Sequence, residues 1–214
     1  MQDPASLLDR GLALLGLSPT PSQRAALLSY LHLLAEWGSR IDLVADPSPE
    51  ALVVHLLDSL APLPHLRAFL SSPLADLGSG AGLPGIPLAI MNPHLEVLLV
   101  EAREKRAVFL EHVLLSVDLA RCTVLHARLE DLPLHVPCAV ARAFLPLSPG
   151  TLPLYLHPLS PGAHLLLYKG RLETAQEEAR LLRPHFEEVE AVPVSVPFLD
   201  TPRSLIAARG RLPV

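Results

Sequence analysis

Cysteine, lysine and aromatic residues are scarce in this chain of 214 residues. Its two cysteines, Cys122 and Cys138, form no CxxC pair, which argues against a disulfide framework and favours a reducing compartment. Aromatic residues make up 4% of the sequence and hydrophobic residues 50%, so we expect a core built mostly of Leu, Ala and Val. The length suits one sizeable domain with a small N-terminal addition.

Several other features are missing. No uninterrupted apolar run reaches about 18 residues, the length that a transmembrane helix needs. The first ten residues carry acids where a secretory signal needs positive charge. The ten histidines show no spacing to Cys, Asp, Glu or another His that is typical of metal ligands. We therefore expect a cytoplasmic protein with neither a membrane partner nor a metal.

The sequence also lacks a general excess of positive charge. The formal net charge is −5, and the acidic excess lies within the first hundred residues. A polyanionic partner would need a local basic patch. Arg128, Lys169 and Arg203 come from the ends of three different predicted strands and are candidate RNA-binding residues, with Arg142 and Arg171 as neighbours of that patch.

Residues 1–66 are expected to form an N-terminal helical cap. Apolar residues at helical spacing predict one helix over about 4–16 and another over about 49–61. Between them, a helix is expected to begin at Pro21, with Ser22 as its N-cap.

Residues 67–214 are expected to form one compact α/β domain in which strands alternate with helices. The predicted strands cover 74–78, 95–102, 122–127, 138–144, 163–170, 189–197 and 204–210. The predicted helices cover 84–92, 103–117, 149–159 and 172–183. Alternation predicts a mostly parallel sheet of seven strands, and the short turn between the last two strands predicts an antiparallel C-terminal edge.

The stretch ADLGSGAGLPGIPLA at 75–89 places four glycines within eight residues, at the first strand-to-helix turn. Such a cluster marks a backbone that something approaches closely. In doubly wound sheets, ligands bind beyond the carboxyl ends of the strands, where this turn lies. Asp76, Gly78, Gly80 and Gly82 are therefore candidate cofactor-binding residues.

Two classes of ligand fit this loop. Gly80–Gly85 matches GxGxxG, the dinucleotide pattern, whereas DxGxGxG resembles the first motif of S-adenosylmethionine-dependent methyltransferases. The acid at Asp76 favours a cationic cofactor over a pyrophosphate, and Glu101 could bind ribose hydroxyls of either. The rest of the chain offers no second domain for a hydride acceptor. The methyl donor is favoured, while an NAD-dependent oxidoreductase and a tight turn without a ligand remain alternatives.

A longer set of motifs resembles one family. The stretches LLAEWGSRIDLVA, HLLDS, DLGSGAGLPGIPLAI, EAREKRAVFLEHV, HARLEDL, ARAF, LLLYKG and RSLIAARG follow in order over about 180 residues. They are similar to the small-subunit ribosomal RNA (guanine-N7) methyltransferase G family, also called glucose-inhibited division protein B. Gly38, Asp42 and Val44 depart from the Asn, Asn and Thr that are usual in that family.

The resemblance implies a Rossmann-like class I methyltransferase that binds S-adenosylmethionine and methylates N7 of a guanosine in 16S ribosomal RNA, as free RNA or in a small-subunit particle. By matching motifs it implies cofactor contacts at Gly78, Leu83, Glu101, Ala102, Arg103, Leu129, Glu130 and Arg142. The residues alone leave Glu130 open between an adenine contact and a solvent-facing acid.

Two residues are candidates for the reaction itself. Arg142 lies near the end of the fourth predicted strand and could join the cofactor to the base, because a guanidinium can bind a carboxylate, a phosphate or a guanine edge. His55 is expected to face the mouth of the site, or else to be a histidine buried at an interface. A ribosome-assembly factor with a relic cofactor pocket is a further alternative, and a monomer is expected.

Overall fold

The computed structural model describes residues 3–38 and 40–210, and its N-terminal part is helical. The helices are α1 (Pro4–Leu14), α2 (Pro21–Gly38), α3 (Pro49–Leu60) and the short α4 (Leu63–Leu66). These helices confirm the predicted helical N-terminal region. Within residues 3–38 and 40–210 no helix is long and apolar enough to cross a membrane.

The start of α2 differs from the prediction. Thr20, and not Ser22, caps the helix: its Oγ1 accepts the Gln23 N–H at 3.2 Å, while Gln23 Oε1 accepts the Thr20 N–H at 2.9 Å. This reciprocal pair is a capping box. Pro21 then occupies the first helical position, where a missing N–H costs nothing. The expectation of Ser22 as the N-cap was wrong because it placed the cap after this proline.

A seven-stranded sheet forms the centre of the remaining chain, as predicted. Its strands are β1 (Leu74–Leu77), β2 (Val97–Glu101), β3 (Cys122–His126), β4 (Val136–Arg142), β5 (Leu159–Lys169), β6 (Glu188–Val194) and β7 (Arg203–Arg209). Their order is β3-β2-β1-β4-β5-β7-β6. The first five pair in parallel, whereas β7 pairs antiparallel with both β5 and β6. The predicted antiparallel C-terminal edge is confirmed.

The helices that connect these strands are α5 (Gly85–Met91), α6 (Glu104–Ser116), α7 (Leu152–Leu156) and α8 (Leu172–Leu182). The helix expected over 149–159 is much shorter, because β5 already begins at Leu159. Pro158 has no N–H to extend α7, and its carbonyl instead accepts the Val136 N–H at 2.8 Å, which brings the chain beside β4.

The N-terminal helices and the sheet share one hydrophobic core. A single cluster of buried residues includes Leu8 of α1, Leu27 of α2 and Leu57 of α3 together with Val97 and Leu166 of the sheet. The opposite face of the sheet is covered by a second cluster that includes residues of α8. The division of the chain at residue 66 stays a prediction.

Candidate functional site

Most of the sequence-predicted site residues lie at the carboxyl ends of the parallel strands, which all end on the same side of the sheet. The glycine loop follows β1, and Glu101, Arg142 and Lys169 are the last residues of β2, β4 and β5. Arg203 is the first residue of the antiparallel β7, so it reaches the same edge. This edge is where ligands of doubly wound sheets bind.

Two of the loop glycines are required by the protein's own packing. Gly78 has φ +70°, and a Cβ atom there would lie 2.3 Å from Cδ2 of Phe144. Gly82 has φ +87°, and a Cβ atom there would lie 2.4 Å from Cδ1 of Ile86. Side chains rarely adopt such φ angles, and a Cβ at these distances would overlap its neighbour. Part of the glycine cluster therefore serves the packing of the loop on α5 and on the residues after β4.

Asp76 lies beneath the loop. Its side chain is fully buried, and Oδ2 accepts the Gly85 N–H at 3.0 Å, which stabilises the start of α5. Oδ1 has no hydrogen-bond partner among the described residues. Burial raises the pKa of Asp76 to about 7. Asp76, a candidate cofactor-binding residue in the sequence analysis, is therefore a buried acid beneath the loop.

Glu101 connects the ends of β1 and β2. Its carboxylate is buried, with Oε2 accepting the Gly80 N–H at 2.9 Å and Oε1 accepting the Arg103 N–H at 2.8 Å. The side chains of Ala102 and Arg103 are exposed, whereas Leu83 is buried. Glu101 therefore fixes the glycine loop against the next strand.

The turn after β3 forms the far side of this region. Leu129 is buried, and the side chain of Glu130 is 49% exposed with its Oε1 3.7 Å from Nη1 of Arg128. Four strand spacings, about 19 Å across the sheet, separate β3, which precedes Arg128, from β5, which ends at Lys169. The structure does not bring Arg128 together with Lys169 and Arg203.

A cavity of about 500 Å³ opens beside the loop, at the ends of β4, β5 and β7. We call it the β4–β5 cavity. Its polar and aromatic lining includes His55, Asp58, Arg142, Phe144, Tyr155, Tyr168, Lys169 and Arg203. The volume lies within the range of small-molecule and cofactor sites. Lys169 is paired here with α8, since its Nζ lies 2.6 Å from Oε2 of Glu178.

A hydrogen-bonded network joins α3 to this cavity. Nη1 of Arg142 donates to the carbonyl oxygen of His55 at 3.0 Å and to Oδ2 of Asp58 at 3.1 Å. Nε of Arg203 donates to the same Asp58 oxygen at 3.2 Å. The structure thus brings together three predicted site residues around an acid that the sequence interpretation did not assign to the site.

His55 and the residues after Arg142 complete the lining of the β4–β5 cavity. Burial, followed by the nearby Arg142 charge, lowers the pKa of His55, so its imidazole is neutral at neutral pH. Ala143 has φ +53°, a left-handed conformation that costs a non-glycine residue about 1–3 kcal/mol. Phe144 packs edge-on against Tyr155 with ring centroids 5.6 Å apart. The turn at Ala143 places Arg142 and Phe144 on the same cavity.

Two hydrogen bonds join the N-terminal region to the glycine loop and to α6, and no sequence pattern predicted either of them. The hydroxyl of Tyr30 in α2 donates to the carbonyl oxygen of Ala81 at 2.7 Å. Nη2 of Arg106 in α6 donates to the carbonyl oxygen of Asp42 at 2.8 Å. Since the Asp42 contact uses the backbone, it does not depend on the family's usual Asn at this position. Within residues 3–38 and 40–210 there is no group of three or more metal-ligating side chains.

Comparison with known families gives one match that covers most of the chain. The model of a family described as rRNA small subunit methyltransferase G matches residues 23–206. A ribosomal RNA small subunit methyltransferase G from Treponema pallidum is 38% identical over 209 residues, covering 94% of this chain and 92% of that protein. One of the same name from Xanthomonas oryzae is 40% identical and covers 97% of this chain and 95% of that protein.

Solved structures show the same architecture. An S-adenosylmethionine-dependent O-methyltransferase from Thermotoga maritima superposes with a TM-score of 0.54 at 16% identity. The match covers 85% of this chain and 72% of that one. At this identity the likeness concerns the fold, and it confirms the predicted Rossmann-like class I methyltransferase architecture.

Proposed function

The chain belongs to the family of ribosomal RNA small subunit methyltransferase G, and from this premise we propose that it transfers a methyl group from S-adenosylmethionine to N7 of a guanosine in 16S ribosomal RNA. The observation that carries the proposal is the junction of the glycine loop with the β4–β5 cavity. Phe144 lines that cavity and also packs on Gly78 of the loop. A cofactor at the loop and a base in the cavity would therefore be neighbours.

The residues of the loop suit a cationic cofactor. Asp76 Oδ1 is buried without a partner among the described residues, and Glu101 adds a second buried acid at the end of β2. The Glu101 carboxylate opposes a pyrophosphate. Burial raises the pKa of Asp76 to about 7, and a ligand with ammonium and sulfonium groups would favour the ionised form of this acid, whereas a pyrophosphate would oppose it. Gly78, Leu83, Glu101, Leu129 and Arg142 would hold the cofactor, together with Asp76, Gly80, Gly82, Ala102, Arg103 and Glu130.

Methylation of N7 needs no general base. When bound, S-adenosylmethionine would supply an electrophilic methyl group on a cationic sulfur. The lone pair of guanine N7 would form the new bond as the methyl–sulfur bond breaks, the electron pair of that bond would remain on sulfur as a neutral thioether, and no proton would be lost. His55 is neutral at neutral pH and is therefore available to donate or accept a hydrogen bond at the cavity wall. Arg142 can donate to guanine O6 and fix the orientation of the base. Catalysis then depends on the relative placement of the two reactants, which can contribute up to about 7–11 kcal/mol.

The other interpretations have less support. An NAD-dependent oxidoreductase would bring a pyrophosphate to a loop flanked by Asp76 and Glu101. A ribosome-assembly factor with a relic pocket would have no need for the strained backbone at Ala143, which places Arg142 and Phe144 on one cavity. RNA contacts at Arg128, Lys169 and Arg203, a cytoplasmic location and a monomeric state belong to the same proposal.

The experiment is methyl transfer from tritiated S-adenosylmethionine to small-subunit particles and to free 16S RNA, both from cells that lack the enzyme. We expect incorporation into RNA, and mass spectrometry should find the methyl group on N7 of one guanosine. The Arg142→Ala variant should lose about 100-fold in rate with its circular dichroism spectrum unchanged. Incorporation at another atom would refute the N7 assignment, and binding of NAD in place of S-adenosylmethionine in calorimetry would refute the proposed class of reaction.

A further inference from the structure

The carboxylate of Asp58 stands between two guanidinium groups from different strands. One oxygen, Oδ2, accepts from Nη1 of Arg142 at 3.1 Å and from Nε of Arg203 at 3.2 Å. The Asp58 side chain is 9% exposed, and those of Arg142 and Arg203 are 16% and 27% exposed. Without this acid, two largely buried cations would face each other with no compensating charge.

The hydrogen bond to Asp58 also fixes the orientation of the Arg142 guanidinium in the β4–β5 cavity. Its Nη1 donates both to Asp58 and to the His55 carbonyl, so α3 holds one end of the guanidinium at two acceptors. An arginine has five N–H donors in a rigid planar fork. Holding one nitrogen at two points therefore sets the plane in which Nε and Nη2 can meet a substrate.

The contacts of Asp58 with Arg142 and Arg203 also determine the net charge of this part of the cavity lining. Two guanidiniums and one carboxylate leave a net charge of +1, since His55 is neutral and Lys169 is compensated by Glu178. The guanine ring gains positive charge as N7 is methylated, so a wall with two uncompensated cations would oppose the reaction. Asp58 lowers that opposition while it keeps Arg142 in place to donate to the base.

We propose that Asp58 is a positioning residue for methyl transfer: it acts through Arg142, which it holds at the cavity together with Arg203. This inference rests on the proposed function. Helix α3, an element of the N-terminal helical region, would then help to orient the guanine base through Arg142. Asp58 itself need not touch the base or the cofactor.

The test is a double-mutant cycle of Asp58→Ala and Arg142→Ala, with methyl transfer to small-subunit particles as the readout. A misplacement of the guanidinium by about 1 Å should lower kcat by about 100-fold in Asp58→Ala. In the Arg142→Ala background, the same Asp58 change should cost less than about threefold, because the group it positions is gone. Asp58→Asn keeps a side-chain oxygen of the same reach and should retain a larger part of kcat than Asp58→Ala.

Asp9→Asn is the matched control. Asp9 lies on α1 of the same helical region and pairs with Arg24 at 2.7 Å, and neither residue lines the cavity. The change to Asn removes the same charge. We expect wild-type kcat and KM from this variant. Circular dichroism melting checks that each variant is folded, and Asp58→Asn with Arg142→Ala replaces the alanine cycle if Asp58→Ala does not fold.

Three results would overturn the inference. The first is an equal loss on changing Asp58 in the presence and in the absence of Arg142, and the second is a loss that appears only in KM. The third is a wild-type protein without methyl transfer, which refutes the proposed function as well. An active wild type with an additive cycle refutes the role of Asp58 alone, so the two failures are distinguishable.

Discussion

The buried carboxyl of Asp76 should make the stability of this protein fall as the pH rises towards neutrality. Burial raises the pKa of Asp76 in the folded protein to about 7, from an ordinary value of 3.8. Between these two values the folded protein binds a proton that the unfolded chain does not. The stabilisation is therefore fully present below pH 3.8 and is lost as the pH rises through about 7.

The size of the effect follows from the same two values. At about 1.4 kcal/mol for each pKa unit, the difference corresponds to about 4 kcal/mol, of which about 3 kcal/mol would be lost between pH 5 and pH 8. Asp76→Asn removes the titration while it keeps an oxygen that can accept the Gly85 N–H. The free energy of unfolding of the variant, relative to wild type, should therefore rise by about 3 kcal/mol over this pH range.

Urea unfolding at half-unit steps from pH 5 to pH 8 measures both proteins. Asp9→Asn makes the same chemical change at an exposed ion pair, where the Arg24 guanidinium lowers the pKa of the carboxyl. The difference in unfolding free energy between Asp9→Asn and wild type should therefore stay constant from pH 5 to pH 8. A constant difference between Asp76→Asn and wild type would mean that Asp76 is already ionised in the folded protein at pH 5. The assignment of a neutral acid beneath the glycine loop would then be wrong.

Three further changes test the site. Gly162→Ala isolates the backbone cost, because Gly162 has a similar φ of +76° and nothing within 4 Å. Gly78→Ala should lower stability by about 1–3 kcal/mol more than Gly162→Ala and weaken S-adenosylmethionine binding in calorimetry. Equal losses would exclude the predicted overlap with Phe144. Tyr30→Phe should cost about 1 kcal/mol in urea unfolding through the lost bond to Ala81, and unchanged stability would contradict that bond. Arg128→Ala should leave the melting temperature unchanged but reduce the salt dependence of RNA binding by about one phosphate contact, and an unaltered slope would remove Arg128 from the RNA interface.

The architecture was accessible from the sequence because local patterns determine it. Alternating strands and helices predicted the parallel sheet, and the short C-terminal connection predicted its antiparallel edge. The extent of β5 was missed, since the proline-rich stretch before it carries no clear periodicity and the strand's register depends on pairing with β4. Pairing partners far along the chain are not visible in a local pattern.

The site was predictable only in part, for the same reason. The glycine loop and Glu101 stand in recognisable positions, at the ends of consecutive strands. Asp58 lies 84 residues from Arg142 and 145 residues from Arg203, so no spacing rule connects them. The loop glycines also show that a motif can be located correctly and explained incompletely, because the neighbour that requires glycine at position 82 is Ile86, a side chain of the protein itself.

The N-terminal helices do more than bury one face of the sheet, because they also supply hydrogen bonds to the site. Tyr30 holds the glycine loop at Ala81, and Asp58 compensates two guanidiniums at the β4–β5 cavity. A buried hydroxyl or carboxylate stabilises a structure only while its partners are in place, and each partner left alone is costly. The helices and the ends of β4 and β7 therefore depend on one another for satisfied hydrogen bonds as well as for hydrophobic burial. A change in the position of α3 would reach Arg142 directly, without any displacement of the sheet.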